Sequence, residues 1–225
     1  MEKKWEEVDQ YIEEKLLKYD SILNNVLENN SNAGLPPIDV APNQAMFLHI
    51  LAKMKGAKRI LEIGTLGGYS TIWLARALPV GGKLITLEFE QRHAEVATSN
   101  IEKAGLLDLV EIRIGAALDT LAKLEVEGVE PFDFIFIDAD KENNAKYLEW
   151  SLKLAKVGTV IIGDNVVRAG EVTNSANTDS RIEGVRHFFD ALSKEDRILT
   201  TAIQTVGSKG YDGFSISIVQ DKNKG

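Results

Sequence analysis

Two short stretches end in side chains suited to holding a cation. Phe134-Ile135-Phe136-Ile137-Asp138-Ala139-Asp140-Lys141 is an apolar run closed by acids and a lysine, and Val160-Ile161-Ile162-Gly163-Asp164-Asn165 is a second run closed by an acid and an amide. If the two are neighbouring parallel strands they lie about 4.8 Å apart, and Asp138 converges with the Asp164-Asn165 pair at one edge of a cleft. Two carboxylates and an amide oxygen make a hard, all-oxygen set. With no cysteine and no nearby histidine, that set suits Mg²⁺, Mn²⁺ or Ca²⁺ rather than zinc or copper. Read alone, the same acids also serve as ordinary caps of the helices that follow. Lys141 stands three residues past Asp138, where it could turn back over the cleft and act as a base beside a cation. A solvated surface lysine is the plainer alternative.

Three further strand ends carry ligand-binding chemistry. Leu61-Glu62-Ile63-Gly64-Thr65-Leu66-Gly67-Gly68-Tyr69-Ser70 is a strand running through a Gly-rich turn into a helix. No Gly-Lys-Ser/Thr follows, and Leu66 stands where a dinucleotide fingerprint has its second glycine, so a pyrophosphate is disfavoured. Without a ligand the stretch is simply a tight strand-to-helix turn. Glu88 closes the strand Leu84-Ile85-Thr86-Leu87, a place from which an acid can accept both hydroxyls of a ribose. The small residues of Ile114-Gly115-Ala116-Ala117-Leu118 could flank a flat base. His49, His93 and His187 fall in helical text without metal-ligand spacing and read as surface or packing residues.

The elements that position these ends alternate. Strands are expected at 59–63, 83–88, 110–114, 132–138, 157–163, 198–204 and 214–219, with helices at 43–55, 70–78, 91–104, 117–124, 143–154 and 181–192. That order predicts an α/β, doubly wound, seven-stranded and mostly parallel sheet, whose ligands bind outside the carboxyl ends of the strands. Only residues 205–213 separate the last two strands, too few for a helical crossover, so an antiparallel hairpin is expected at the sheet edge. Ahead of the core, Trp5, Val8, Ile12, Leu16, Tyr19, Ile22, Leu23 and Val26 recur at helical spacing and predict one amphipathic helix. Residues 29–37, rich in Asn, Gly and Pro, then predict a hinge. The expectation is one domain over 1–225, with helix and hinge in 1–42 and the α/β core in 43–225.

Composition narrows the classes. A chain of 225 residues, 44% hydrophobic and 27% charged, is long enough for a full core and unlike a disordered or fibrous chain. A formal charge of −8 repels nucleic-acid backbones and anionic lipid. The absence of cysteine excludes thiol catalysis, disulfides and Cys-ligated zinc. The start, Met1-Glu2-Lys3-Lys4-Trp5-Glu6-Glu7, lacks the apolar stretch of an export signal, and no apolar run reaches the ~20 residues of a membrane helix. A cytoplasmic protein without nucleic-acid or membrane partners is expected.

Taken together, 61–64, 68–70, Glu88, Asp138-Ala139-Asp140-Lys141 and Gly163-Asp164-Asn165 resemble the cation-dependent O-methyltransferases of the caffeoyl-CoA and catechol type. The resemblance runs from Ala41 to about Val219 and implies a Rossmann-like methyltransferase fold with an antiparallel last strand and an N-terminal helical extension. It implies that Glu62, Gly64 and Gly68 form the pocket for the methionine part of S-adenosylmethionine. Ser70 would touch the methionine carboxylate, Glu88 the ribose and Ala117 the adenine. Asp138, Asp164 and Asn165 would bind the divalent ion, Mg²⁺ before Mn²⁺ or Ca²⁺. Asp138 would also border the cofactor and share the catalytic site with Lys141 as general base. The implied reaction is in-line methyl transfer from the sulfonium to one oxygen of a vicinal aromatic diol, with both ring oxygens on the metal. A small phenolic acceptor and a homodimer are expected; Arg181 and Asp212 resemble recurrent polar positions of no assigned role. The long loop 166–181 is expected to be mobile and to select the acceptor. The competing readings are a nucleotide-dependent oxidoreductase and a non-catalytic S-adenosylmethionine-binding module.

Overall fold

The computed structural model describes residues 1–221. Seven strands, β1 (Arg59–Ile63), β2 (Lys83–Glu88), β3 (Val110–Ile114), β4 (Phe132–Ile137), β5 (Ala155–Asp164), β6 (Ile198–Gly207) and β7 (Gly210–Val219), form one sheet in the order β3-β2-β1-β4-β5-β7-β6. The first five are parallel, and β7 runs antiparallel between β5 and β6. Among the described residues eight α-helices accompany them: α1 (Glu2–Leu16), α2 (Ser21–Asn32), α3 (Pro42–Lys55), α4 (Tyr69–Ala75), α5 (Gln91–Lys103), α6 (Ala117–Glu127), α7 (Asn144–Leu154) and α8 (Ser180–Lys194). Among the described residues no helix is long and apolar enough to cross a membrane.

The period-two alternation of each central strand sends its side chains to opposite faces. Ile60, Leu84, Phe134, Phe136 and Ile162 pack with α2 to α5 on one side. Leu61, Ile63, Leu87, Ile135, Ile137 and Ile161 pack with α6 to α8 on the other. Every residue of β4 is buried, as a central parallel strand covered on both faces requires. The sheet is thus a rigid platform whose carboxyl edge holds the acids and amide identified above.

Three expectations are corrected. The N-terminal stripe is two helices rather than one. Asp20 accepts from Ile22 N at 3.0 Å and Leu23 N at 3.2 Å, capping α2, and its second oxygen takes Arg76 Nη1 at 2.6 Å, so the chain turns there. The connection expected as a hinge starts later than residue 29, since α2 runs to Asn32 and includes Asn29 and Asn30. Asn30 is buried, donating to Asp39 and accepting from Asn100, which also donates to the Gly67 carbonyl. The last hairpin is longer than expected, with β6 and β7 paired up to Gly207 and Gly210 and only two residues between them.

Candidate active site

A cleft of about 900 Å³ opens at the carboxyl edge of the sheet, lined by Gly64, Leu66, Ser70, Glu88, Ala117, Asp138, Lys141 and Asn165, among others. Its floor is fixed by close backbone approach. Asp138 N donates to Ile63 O at 2.8 Å, and a Cβ on Gly64, which has φ +100°, would fall on the Asp138 carbonyl. Only glycine meets both demands. Gly68 starts α4 with φ +84° and packs on Ala97 and Ile101 of α5, outside the cleft lining.

Glu62 is fully buried beneath the turn and does not line the cleft. It accepts from Ser70 Oγ at 2.6 Å, Thr71 Oγ1 at 2.5 Å and Thr86 Oγ1 at 2.7 Å, binding the start of α4 to β2. Burial pushes its carboxyl up to about 7, against the pull of those hydroxyls. The native chain therefore holds a proton that the unfolded chain, with the ordinary value of 4.5, releases. Stability present at pH 4.5 should fall by up to about 3 kcal/mol as pH rises to 7. Urea midpoints at pH 5 and pH 7.5 should show the higher value at pH 5, with the gap reduced by Glu62→Gln; an unchanged gap in that variant would remove Glu62 as the cause.

Glu88 ties the turn from the next strand. Its Oε2 accepts from Thr65 N at 3.1 Å and Leu66 N at 2.8 Å, and its Oε1 from Glu90 N at 2.9 Å. His93 Nδ1 lies 3.4 Å from the same Oε1 and lines the cleft, a place that the reading of this residue as surface or packing did not give it. Its place in the first turn of α5, five residues after Glu88, is a signal the sequence did carry.

At the other end of the cleft, Ile137 pairs with Gly163 in register, so Asp138 and Asp164 leave adjacent strands side by side. Asp164 is 3% exposed; Gln44 Nε2 donates to its Oδ2 at 2.7 Å and Asn165 N to its Oδ1 at 2.8 Å. Burial, then the neighbouring Asp138 carboxylate, pushes Asp164 up to about 7. Lys141 Nζ donates to Asp138 Oδ1 at 2.9 Å, buried at the start of a short 3₁₀ turn, Lys141–Asn143. Asn165 has a left-handed φ of +56°, a region that asparagine enters more readily than other non-glycine residues. It lines both the main cleft and an adjoining hollow of about 300 Å³ that Asp164 also borders. Among the described residues no three His, Cys, Asp or Glu side chains gather at one point, but two carboxylates with an amide oxygen fit a hard cation. A buried acid, Asp164, beside the partly exposed Asp138 carboxylate is an environment that positive charge relieves.

The loop expected to be mobile is pinned. Arg186 on α8 donates to the carbonyls of Val172 at 3.1 Å, Asn177 at 2.9 Å and Glu171 at 3.3 Å, and to Asn174 O as well. Asp212 Oδ1 accepts from Val167 N, Arg168 N and Gly213 N, each at 2.9 Å, so its role is to hold the loop that leaves the Asp164-Asn165 pair. Arg181 borders the cleft but spends its guanidinium on Asp179, the cap of its own helix.

The chain matches the family model described as O-methyltransferase over residues 13–213. It is 47% identical to the catechol O-methyltransferase of Niastella koreensis over 96% of this chain and 98% of that protein. It is 44% identical to the catechol O-methyltransferase of Mycobacterium tuberculosis over 95% and 96%. Its fold superposes with a TM-score of 0.97 on an O-methyltransferase from Bacillus cereus crystallised in complex with SAH, at 56% identity over 98% of this chain and 100% of that one. A Gly-rich turn, an acid at the end of the second strand and an oxygen-lined edge, on a sheet matched over nearly its whole length, have one common explanation: the chain belongs to the O-methyltransferase family.

Proposed function

We propose that this chain transfers a methyl group from S-adenosylmethionine to one hydroxyl of a small vicinal aromatic diol, with Asp138, Asp164 and Asn165 holding a divalent cation and Lys141 acting as base. The observation that carries this reading is the juxtaposition of Asp138 and Asp164 on adjacent strand ends, with Lys141 on the same carboxylate. SAH in the Bacillus cereus relative and the catechol O-methyltransferase names of two others support the donor and the acceptor class.

When bound, the donor supplies a methyl group on a positively charged sulfur, and a divalent cation supplies the charge that favours an ionised diol. The rest falls to the chain. Gly64 lets a ligand reach the backbone of the turn, Ser70 lines the methionine side, Glu88 offers its carboxylate to a ribose, and Ala117 leaves room for a flat base. Lys141, as the free amine, would take the proton of a diol hydroxyl, and Asp138 would hold the ammonium so formed. Fixing donor and acceptor on one rigid sheet edge replaces the entropy of a bimolecular encounter. No covalent enzyme intermediate is needed, in keeping with a chain that has no cysteine.

The oxidoreductase reading has lost its footing, since relatives matched over nearly the whole chain carry methyltransferase names. Exposed apolar residues on α1 and β6, such as Tyr11 and Leu199, support the proposal of a homodimer. The test of function is mass-spectrometric detection of methyl transfer to catechol and to phenol under the same conditions. Conversion of the diol alone is expected; equal conversion of both would reject the diol requirement, and S-adenosylhomocysteine binding without turnover of any catechol would favour a non-catalytic module.

A further inference from the structure

Beyond the diol, the cleft holds a cation, Arg168, whose guanidinium the described residues engage only loosely. Four cationic or ionisable basic residues line it: His93, Lys141, Arg168 and Arg181. His93 faces Glu88, Lys141 is bonded to Asp138, and Arg181 is bonded through two nitrogens to Asp179. The Arg168 guanidinium makes no hydrogen bond among the described residues, and its nearest counter-charge is a loose contact of 3.9 Å from Nη1 to Asp212 Oδ2. Its side chain is only 27% exposed.

The backbone is shaped around this residue. Arg168 and Ala169 both have φ of +55°, and Gly170 follows at +87°. Two consecutive non-glycine residues in the left-handed region persist only where their surroundings over-determine them, which is common at ligand sites. Here the determinant is Asp212, whose Oδ1 takes the backbone N–H of Val167 and Arg168. Arg168 lies four residues past Asp164 and lines the same cleft as Asp138, Lys141 and Asn165.

We infer that Arg168 recognises a carboxylate carried by the methyl acceptor, so that the preferred substrates are catechols with an acidic side group. This rests on the catechol reading above and narrows it. A planar guanidinium with unspent donors matches a carboxylate in bidentate geometry. The surrounding field sharpens the requirement: Asp39, Glu88, Asp119, Asp138, Asp140 and Glu142 also line the cleft, and an acid entering it is repelled unless a cation receives it.

The experiment compares kcat/KM for 3,4-dihydroxybenzoate and its methyl ester, which share the diol and differ in the charge. The wild type should favour the acid. Arg168→Gln should lower the acid-to-ester ratio by about 10- to 100-fold, through KM for the acid, and Arg168→Lys should fall between. A ratio unchanged in Arg168→Gln overturns the inference, as does a rise in KM for S-adenosylmethionine with the ratio unmoved, which would place the cofactor's carboxylate on Arg168. Should the glutamine variant not fold, a wild type that prefers the ester overturns it alone. Failure of the wild type to methylate either compound would instead overturn the catechol reading, and the inference with it.

Discussion

Lys141→Ala should lower kcat for a catechol acceptor by about 10²- to 10⁴-fold at neutral pH, the range that a positioned general base contributes. Lys141 is buried, it lines the cleft, and among the described residues its amine is bonded to Asp138, a proposed cation ligand. Removing the amine leaves the diol proton without an acceptor at that point. Because a rising pH ionises the diol without help, the gap between variant and wild type should narrow toward alkaline pH. A purely structural role for Lys141 would not show that convergence. The measurement is a pH–rate profile of both proteins at saturating cofactor; a variant with full kcat at neutral pH would contradict the base assignment.

How far the sequence could be read depends on the range of the forces involved. The bounds of β1, β2 and β3 follow from local alternation and from the turn residues that flank them, and all three are found where the pattern places them. The antiparallel pairing of β6 with β7 follows from the short connection between them, which is also local, whereas the strand order, with β7 inserted between β5 and β6, does not. The break between α1 and α2 was hidden because half of what fixes Asp20 is Arg76, 56 residues away. The order in the loop after Asp164 was hidden for the same reason, since its anchors, Arg186 and Asp212, arrive from other elements.

Within the site, the strand-end acids were legible because their positions follow from strand geometry. What could not be read was how each one is occupied. Glu62 looked like a pocket residue, yet it is sunk beneath the turn among three hydroxyls, while Ser70 and Gly64 line the cleft itself. Glu88 binds the Gly-rich turn through Thr65 and Leu66, so a residue proposed for the ribose also fixes the loop on which the methionine part would rest. Gln44, from a helix with no motif of its own, donates to Asp164 and belongs to the site by contact alone.

The second large effect concerns the cation. Asp164 lies buried beside Asp138, and burial with that neighbouring charge holds its carboxyl well above the usual range. Left to itself beside that charge, Asp164 reduces the repulsion by keeping a proton, a state that competes with binding of a hard cation. The charge that favours an ionised diol is then missing, a loss of several kcal/mol of transition-state stabilisation, or about 100-fold or more in rate. Asp164→Asn and Asn165→Ala should each raise the Mg²⁺ concentration that gives half-maximal activity.

The decisive measurement is the initial rate of methyl transfer from S-adenosylmethionine to a catechol before EDTA treatment, after it, and after Mg²⁺ is returned to the metal-free protein. Loss of at least about 100-fold with recovery on adding Mg²⁺ is the expected result. An undiminished rate in protein verified to be free of divalent metal would contradict the assignment of Asp138, Asp164 and Asn165 as a catalytic cation site.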